Sequence, residues 1–197
     1  MNHPISRPKR RRRAPLAAPV LVLALLAALL VVGPASSARA LCVALPSDGS
    51  FEQQRTSFVS APWTAEGRAG IDIRKRYSQS GVNNAWARNT TGWNAIRQTV
   101  RLSAGKLYTL KAYVRTSANV RDGYFGFRNW YQRPVAEIKF GPLPSYRELQ
   151  VRFRPASTTS HRIFAGFWAP NQDSWIQIDN VRLEYSCEDV GLNPVDG

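Results

Sequence analysis

The segment from Asn83 to Ile96, NNAWARNTTGWNAI, contains side chains that could contact a ligand. Two tryptophans, Trp86 and Trp93, lie on either side of Arg88 in otherwise polar surroundings. An indole left in water forgoes the stabilisation that burial of its large apolar surface would give, so each of these residues needs a partner. They either cover the edge of a core that lies elsewhere or form a platform on which a ligand stacks.

A carboxylate, Asp179, lies where the pattern of apolar residues breaks. In the segment SWIQIDNVRLEY, Ile176 and Ile178 share one parity, whereas Val181 and Leu183 share the other. A β-bulge near Asp179 would return both pairs to the core side. The pattern therefore predicts a carboxylate at a kink in a strand.

Little in the sequence supports catalysis, and we expect no catalytic residues. His161 is the only histidine after residue 40, and no serine or cysteine nucleophile pattern accompanies it. We expect it to be a turn residue. Hydrolysis of a glycosidic bond needs two carboxylates held across that bond, and nothing in the spacing of the acids marks such a pair.

The elements that must position these side chains are short strands. After residue 40 the sequence shows alternating apolar and polar runs, broken by turn residues about every ten positions, and no sustained helical period. IRQTVRL, for example, places Ile96, Val100 and Leu102 on one side. We predict an all-β fold, a two-sheet antiparallel sandwich, without an internal repeat or a linker to another domain.

Residues 1–40 have the features of a secretory signal peptide. A basic stretch, MNHPISRPKRRRR, precedes an apolar stretch and the small-x-small pattern Ala38-Arg39-Ala40, which predicts cleavage before Leu41. The alternative is a retained membrane anchor, because Leu16 to Val32 is just short of a comfortable span. We expect cleavage, and hence a secreted, extracellular and bacterial protein without membrane contact.

Removal of the signal changes the charge argument. Seven of the 27 basic residues and none of the 13 acidic residues lie in residues 1–40, so the net charge falls from +14 to +7. The remaining basic residues are scattered along strands, which is typical of a solvated face and not of a phosphate groove. We therefore expect no nucleic-acid partner, and we expect a monomer.

Residues 41–187 are predicted to form one domain, followed by a flexible tail over residues 188–197. An even pair of cysteines in an exported chain most simply forms a disulfide, here Cys42–Cys187. Chain-entropy models give such a bridge about 4–5 kcal/mol, and it requires the first and last strands to be neighbours. Two unrelated buried thiols are the alternative.

Several segments occur in an order found in a known family: DGSFE, then Trp63, RNTTGWNAIRQTVRLSAGKLYTLKAYVRTS, DGYFGFRN and WIQIDNVRLEY. Together they resemble a secreted carbohydrate-binding module of the galactose-binding-domain-like jelly-roll type, of the cellulose- and xylan-binding kind (families four, nine and twenty-two). The resemblance covers residues 45–186. Asp48 stands where asparagine is usual, and Tyr113 stands where tryptophan is common.

The resemblance implies a non-catalytic protein that binds a polysaccharide or oligosaccharide. Aromatic rings would stack on pyranose faces, and Arg and Asn side chains would bind hydroxyl groups. Arg88 and Trp93 match positions that contact ligand in related modules. Strand parity adds further expected ligand contacts, and Asn94 completes the set: Trp86, Tyr113, Tyr124, Arg128, Trp168 and Asn94. Trp63 and Trp175 are assigned to core or rim packing. Two alternatives stay open: a structural or adhesive cell-surface protein without a sugar ligand, and an unrecognised glycoside hydrolase or polysaccharide lyase.

The resemblance also implies a structural calcium ion that joins the first and last strands. Glu52 and Asp179 would supply one carboxylate each, and the bulge would supply backbone carbonyls. The alternative is that Glu52 is an ordinary surface acid and that Asp179 only caps the bulge.

Overall fold

The computed structural model describes residues 41–186, and side chains for residues 46–185 among them. Nine strands are present in this range: β1 Leu41–Leu45, β2 Trp63–Glu66, β3 Ala69–Ile73, β4 Asn83–Leu102, β5 Tyr108–Thr116, β6 Asp122–Arg128, β7 Pro134–Phe140, β8 Arg147–Phe153 and β9 Thr159–Ser186. Within the same range, no helix is long and apolar enough to cross a membrane. The signal peptide and the tail predicted for residues 188–197 lie outside the described residues.

Two long strands, β4 and β9, connect the two layers of the fold. They pair antiparallel from Ala85↔Ile178 to Leu102↔Thr159, with an irregularity between Asn89 and Thr91. On one side of this irregularity, β9 also pairs with β5 and with β1, β4 pairs with β3, and β8 pairs with β5. On the other side, β9 pairs with β6, β4 pairs with β2, and β7 pairs with β6. We call these groups the first and the second half-sheet.

The core lies between the two half-sheets. Ile96, Val100 and Leu102 are buried while Thr99 and Arg101, between them, are exposed, as the alternation predicted. A small internal cavity is lined by residues of both half-sheets, among them Leu110, Phe125, Ile163 and Ile178. The two half-sheets therefore face each other across one core, and the prediction of an all-β antiparallel sandwich is confirmed.

The bulge predicted in β9 is present. The β5–β9 register shifts between Lys111 and Tyr113, and Asn180 adopts a φ of 48°. The core therefore receives Ile178 and, beyond the extra residue, Val181. This extra residue is what lets one strand present apolar side chains of both parities to the same core.

The first and last strands are neighbours, as the cysteine pair requires. β1 pairs antiparallel with the end of β9, and Cys42 lies opposite Tyr185. Cys187 lies outside the described residues, so the disulfide stays a prediction.

His161 is not a turn residue. It lies inside β9, buried, with its ring 5.1 Å from that of Phe153 in an edge-on arrangement. The chain bends at residues 156–158 and β9 begins at Thr159, so His161 lies within the strand.

Candidate functional site

A cleft of about 600 Å³ opens on the outer face of the first half-sheet. It is lined by Ser57, Arg68, Ile71, Asp72, Lys75, Tyr77, Trp86, Arg88, Arg115, Trp175 and Gln177. The lining residues come from β3, β4, β5 and β9, together with the segments before β3 and after it. The sheet thus supplies the floor of the cleft, and connecting segments supply its sides.

Trp86 lies on the floor, in one cross-strand row with three other residues. Gly70 is its neighbour on β3, Gln177 its neighbour on β9, and Arg115 lies beyond Gln177 on β5. A Cβ atom on Gly70 would lie 2.5 Å from Cζ2 of Trp86, so the indole packs directly against the glycine. The glycine on β3 therefore leaves room for the indole of Trp86 on β4.

Arg115 is fixed in the cleft by rings and by one amide. Its guanidinium lies 5.0 Å from the ring centre of Tyr146, 5.8 Å from that of Tyr77 and 5.9 Å from that of Trp175. Its Nε donates a hydrogen bond to Oε1 of Gln177. Contacts of this kind hold a cation in one orientation.

Gln177 connects Arg115 to the acid of the cleft. While its Oε1 accepts from Arg115, its Nε2 donates to Oδ2 of Asp72 at 2.9 Å. The same oxygen of Asp72 accepts from Nδ2 of Asn84 at 3.2 Å. Asp72 and Arg115 are therefore linked through an amide and do not form an ion pair with each other.

Arg88, at the rim, forms an ion pair with Asp173. Its Nε donates to Oδ1 of Asp173 at 2.8 Å, and a terminal nitrogen binds Oδ2. These hydrogen bonds, together with the charge of the guanidinium, lower the pKa of Asp173 and raise that of Arg88. The pair is exposed to solvent, so it fixes the orientation of Arg88 more than it stabilises the fold.

A second group of aromatic and cationic side chains lies on the outer face of the second half-sheet; we call it the aromatic cluster. The ring of Trp93 lies 5.6 Å from that of Trp168, 6.0 Å from that of Phe164 and 6.3 Å from that of Tyr124. The guanidinium of Arg128 lies 4.5 Å from the ring centre of Trp93 and 3.8 Å from that of Phe164. The members of the cluster thus pack on one another.

Glu66 binds the polar groups of the aromatic cluster. One of its oxygens accepts from Nε1 of Trp93 at 2.7 Å and lies 3.5 Å from Arg128, while the other lies 2.8 Å from Nε of Arg97. Burial lowers the pKa of Arg128, and the charge of Glu66 opposes this shift. The indole N–H and both cations are therefore engaged within the protein.

The structure divides the eight expected ligand contacts instead of gathering them. Trp86 and Arg88 line the cleft, whereas Trp93, Tyr124, Arg128 and Trp168 form the aromatic cluster. Strand parity correctly placed these side chains on outer faces. It could not show that β4 leaves one half-sheet and enters the other at Asn89, between the two tryptophans.

Two of the expected contacts lie elsewhere. Asn94 is fully buried, and its amide binds backbone groups of Arg68, Thr91 and Gly92. Because these bonds use both ends of the amide to hold a turn, Asn94 is corrected from a ligand contact to a structural residue. Tyr113 is on the outer face of the first half-sheet but outside the cleft, with Arg182 5.9 Å from its ring centre.

The assignment of two tryptophans to packing holds for only one of them. Trp63 is 3% exposed and donates from Nε1 to the carbonyl of Asp48 at 2.9 Å, as expected for core packing. Trp175 is half-buried and lines the cleft. Its parity, opposite to that of the buried Ile176, was the signal that could have placed it on the outer face.

Glu52 and Asp179 are brought together by residues 79–83. Oε1 of Glu52 accepts from the backbone amides of Val82 and Asn83, at 2.8 and 3.0 Å. Oδ2 of Asp179 accepts from those of Gln79 and Ser80, also at 2.8 and 3.0 Å. The two carboxylates thus anchor one connecting segment.

The donors around Asp179 bear on the calcium prediction. Burial raises its pKa to about 6, and the charge of Glu52 adds to this effect, while backbone amides oppose it. Calcium prefers six to eight oxygen ligands, whereas these two carboxylates bind amide N–H groups, and no third acid, histidine or cysteine joins them among the described residues. Calcium binding therefore stays a prediction.

Comparison with known proteins gives structural matches only. No protein-family model matches the chain, and no curated protein matches it in sequence. A cyclase from Fischerella sp. TAU is 15% identical, over 75% of this chain and 98% of its own, with a TM-score of 0.60. TmCBM61, solved with beta-1,4-galactotriose, is also 15% identical, over 70% of this chain and 95% of its own, with a TM-score of 0.55.

A third structure is the CBM22-1 xylan-binding domain of Xyn10C from Paenibacillus barcinonensis. It is 15% identical, over 76% of this chain and 98% of its own, with a TM-score of 0.53. Identities this low establish the fold and leave the ligand open. The chain therefore shares its jelly-roll fold with the cyclase and with both carbohydrate-binding domains.

Proposed function

We propose that the protein is a non-catalytic carbohydrate-binding module whose cleft binds a polysaccharide or oligosaccharide. The observation that carries this proposal is the cleft on the first half-sheet, which combines aromatic rings with fixed polar groups. A pyranose offers an apolar C–H face and a rim of hydroxyl groups. Trp86 and Trp175 would cover the first, while Arg88, Gln177 and Asp72 would bind the second.

The acids near the cleft support a binding role over a hydrolytic one. Glycoside hydrolysis requires a pair of carboxylic acids, one of which keeps its proton to donate it to the leaving group. Among the described residues, Asp72 is the only acid in the cleft lining, and Arg88 lowers the pKa of Asp173 at the rim and so holds it charged. Asp173 therefore lacks the raised pKa that a proton donor needs.

The setting that we propose follows from the sequence. The features of residues 1–40 favour export and cleavage, which would leave a secreted, extracellular and monomeric protein. Its proposed partner is a glycan, and we propose that it binds neither nucleic acid nor a membrane.

Affinity electrophoresis tests the proposal. We expect native gels cast with a soluble β-glucan, xylan or related polymer to retard the wild-type protein. Trp86→Ala should weaken this binding at least about tenfold, which corresponds to about 1.4 kcal/mol. Trp168→Ala, which removes an equally large ring from the other face, is the matched control and should leave retardation unchanged. The assay has to detect weak binding, so gels should reach high polymer concentrations.

A structural or adhesive cell-surface role is the second candidate. It is favoured by one observation: Trp86 shares no groove with Trp93 and Trp168, so these three tryptophans do not form one continuous platform. Absence of binding across a broad glycan array would contradict the carbohydrate proposal and favour this second role. A hydrolase or lyase would instead reveal itself in reducing-sugar or unsaturated-product assays.

A further inference from the structure

We propose that the ligand of the cleft is an acidic glycan, one whose sugar rings carry carboxylate or sulfate groups. This inference rests on the proposed carbohydrate-binding function and specifies its ligand class. It follows from the charges that line the cleft, from the way in which Arg115 is held, and from a contrast with the cations of the aromatic cluster.

The cleft has an excess of positive charge. Four cationic side chains line it: Arg68, Lys75, Arg88 and Arg115. Asp72 is the acid in the lining, and Asp173 neutralises Arg88 from the rim. Water screens charges less in a concave surface than on an open one. An excess of positive charge in the cleft therefore attracts anionic ligands.

Three of these cations have no carboxylate partner in the part of the chain that the structure describes. Its ion pairs include Arg88 with Asp173 but none formed by Arg68, Lys75 or Arg115. The cations of the aromatic cluster differ, because Arg97 and Arg128 both pair with Glu66. Glu66 therefore neutralises Arg97 and Arg128 beside the aromatic cluster, whereas Arg115 in the cleft has no carboxylate of its own among the described residues.

Arg115 has the geometry of an anion-binding residue. It is half-buried, in the same cross-strand row as Trp86, and three rings and the amide of Gln177 hold it in place. A guanidinium that is already oriented loses little entropy when it binds a carboxylate or sulfate through two parallel hydrogen bonds. A sugar stacked on the indole of Trp86 would thus carry its acidic substituent towards a fixed cation.

Gln177 keeps the nearby acid from neutralising this cation. Its amide accepts from Arg115 at one end and donates to Asp72 at the other, so it separates the two charges. Replacing the amide by a carboxylate would place a negative charge directly beside Arg115. The arrangement favours a ligand that brings the missing anion itself.

The test compares glycans that differ only in charge. Polygalacturonate, alginate and glucuronoxylan are each tested beside their carboxyl-reduced forms, and dextran sulfate is tested beside dextran. We expect at least one acidic polymer to bind about tenfold more tightly than its neutral counterpart, with an affinity that falls as salt rises. The uronate and sulfate arms show which acidic group is recognised.

Two variants separate recognition from general attraction. Arg115→Gln removes the proposed anchor, whereas Arg101→Gln removes the same charge from an exposed position on the second half-sheet. We expect the first to abolish the preference for the acidic polymer and the second to leave it unchanged.

Each contrary outcome has one meaning. Equal binding of acidic and neutral partners, equal losses in the two variants, or equal affinity for double-stranded DNA would overturn the proposal of an acidic ligand. In the first case, the carbohydrate-binding function would stand. Failure of every polymer to bind would instead overturn the proposed function itself.

Discussion

On the second half-sheet, the indole of Trp93 donates its N–H to Glu66 and packs against neighbouring rings and the guanidinium of Arg128. On the first half-sheet, Trp86 packs against a glycine and faces an open cleft of about 600 Å³. Both faces contain tryptophan, tyrosine and arginine. In the aromatic cluster these groups bind one another, whereas in the cleft space remains between them.

This difference shows why residue types alone do not identify a binding site. Trp93, whose ring and N–H are both engaged within the protein, has little left to offer a ligand. Trp168 in the same cluster is 54% exposed, but its ring packs against that of Trp93. A cation without an internal carboxylate, such as Arg115, keeps its charge available. This difference supports our proposal that the cleft binds the ligand and that the aromatic cluster stabilises the fold.

The largest effect is expected from the predicted disulfide, because it would close a loop that spans nearly the whole domain. Reduction of the predicted Cys42–Cys187 bridge should lower the free energy of unfolding by about 4 kcal/mol. Hydrogen exchange should accelerate in β1 and at the end of β9, where the two strands pair, more than in the part of β4 around Trp93. Two free thiols in mass spectra of the unreduced protein would contradict the bridge.

A smaller effect is expected from Glu66→Gln in the aromatic cluster. The substitution leaves Arg97 and Arg128 without their carboxylate, so we expect the free energy of unfolding to fall by about 1–3 kcal/mol in denaturant titrations. Binding of glycan should not change. A loss of glycan binding would show that the aromatic cluster is part of the ligand site and would break the comparison.

Asp122→Asn is the matched control for Glu66→Gln. Asp122 also pairs with a cation on the second half-sheet, Lys139, but this pair is exposed. Exposed ion pairs contribute about 0–1 kcal/mol, so the control should leave stability nearly unchanged.

The pH dependence of stability should sharpen the description of the first half-sheet. The folded protein raises the pKa of Asp179 to about 6 from 3.8, mainly through burial, so the native state holds this proton more tightly than the unfolded chain does. The resulting stabilisation is complete below about pH 4 and is lost as the pH rises through about 6. Asp179→Asn should flatten this part of the stability curve, measured in EDTA. An unchanged slope would contradict the raised pKa.

The smallest effect is expected from calcium. If calcium joins Glu52 to Asp179, chelation alone should lower the melting temperature only modestly, because the disulfide fastens the same region. Chelation after reduction should lower it by more than the sum of the separate effects. If chelation of the reduced protein causes no further change in melting temperature, the calcium site is contradicted and the strand topology stays intact.

The sequence predicted the strands and their faces because alternation reports which side chains point inwards. It also located the bulge beside Asp179, since two parities had to reach one core. The cysteine pair indicated that the first and last strands are neighbours, but no other pairing of distant strands could be predicted. The cleft combines Arg115 from β5 with Trp86 from β4 and Trp175 from β9, and no local pattern indicates that these residues become neighbours.

Strand parity also could not predict two residues of the cleft lining, because they do not lie in a strand. Tyr77 and Lys75 lie in the connection between β3 and β4, where no periodicity indicates the direction of a side chain. Asn94 is a different case. As a polar residue next to a tryptophan it was predicted to contact the ligand, but its side chain is buried and holds a turn.

An NMR titration tests the central claim most directly, because each of the six tryptophans reports through its own indole N–H signal. The glycan that binds best in the affinity gels is added stepwise to the labelled protein. We expect the signals of Trp86 and Trp175 to shift with a common affinity, while those of Trp93 and Trp168 stay in place. Shifts of Trp93 and Trp168 with Trp86 unchanged would place the ligand on the second half-sheet and contradict the account.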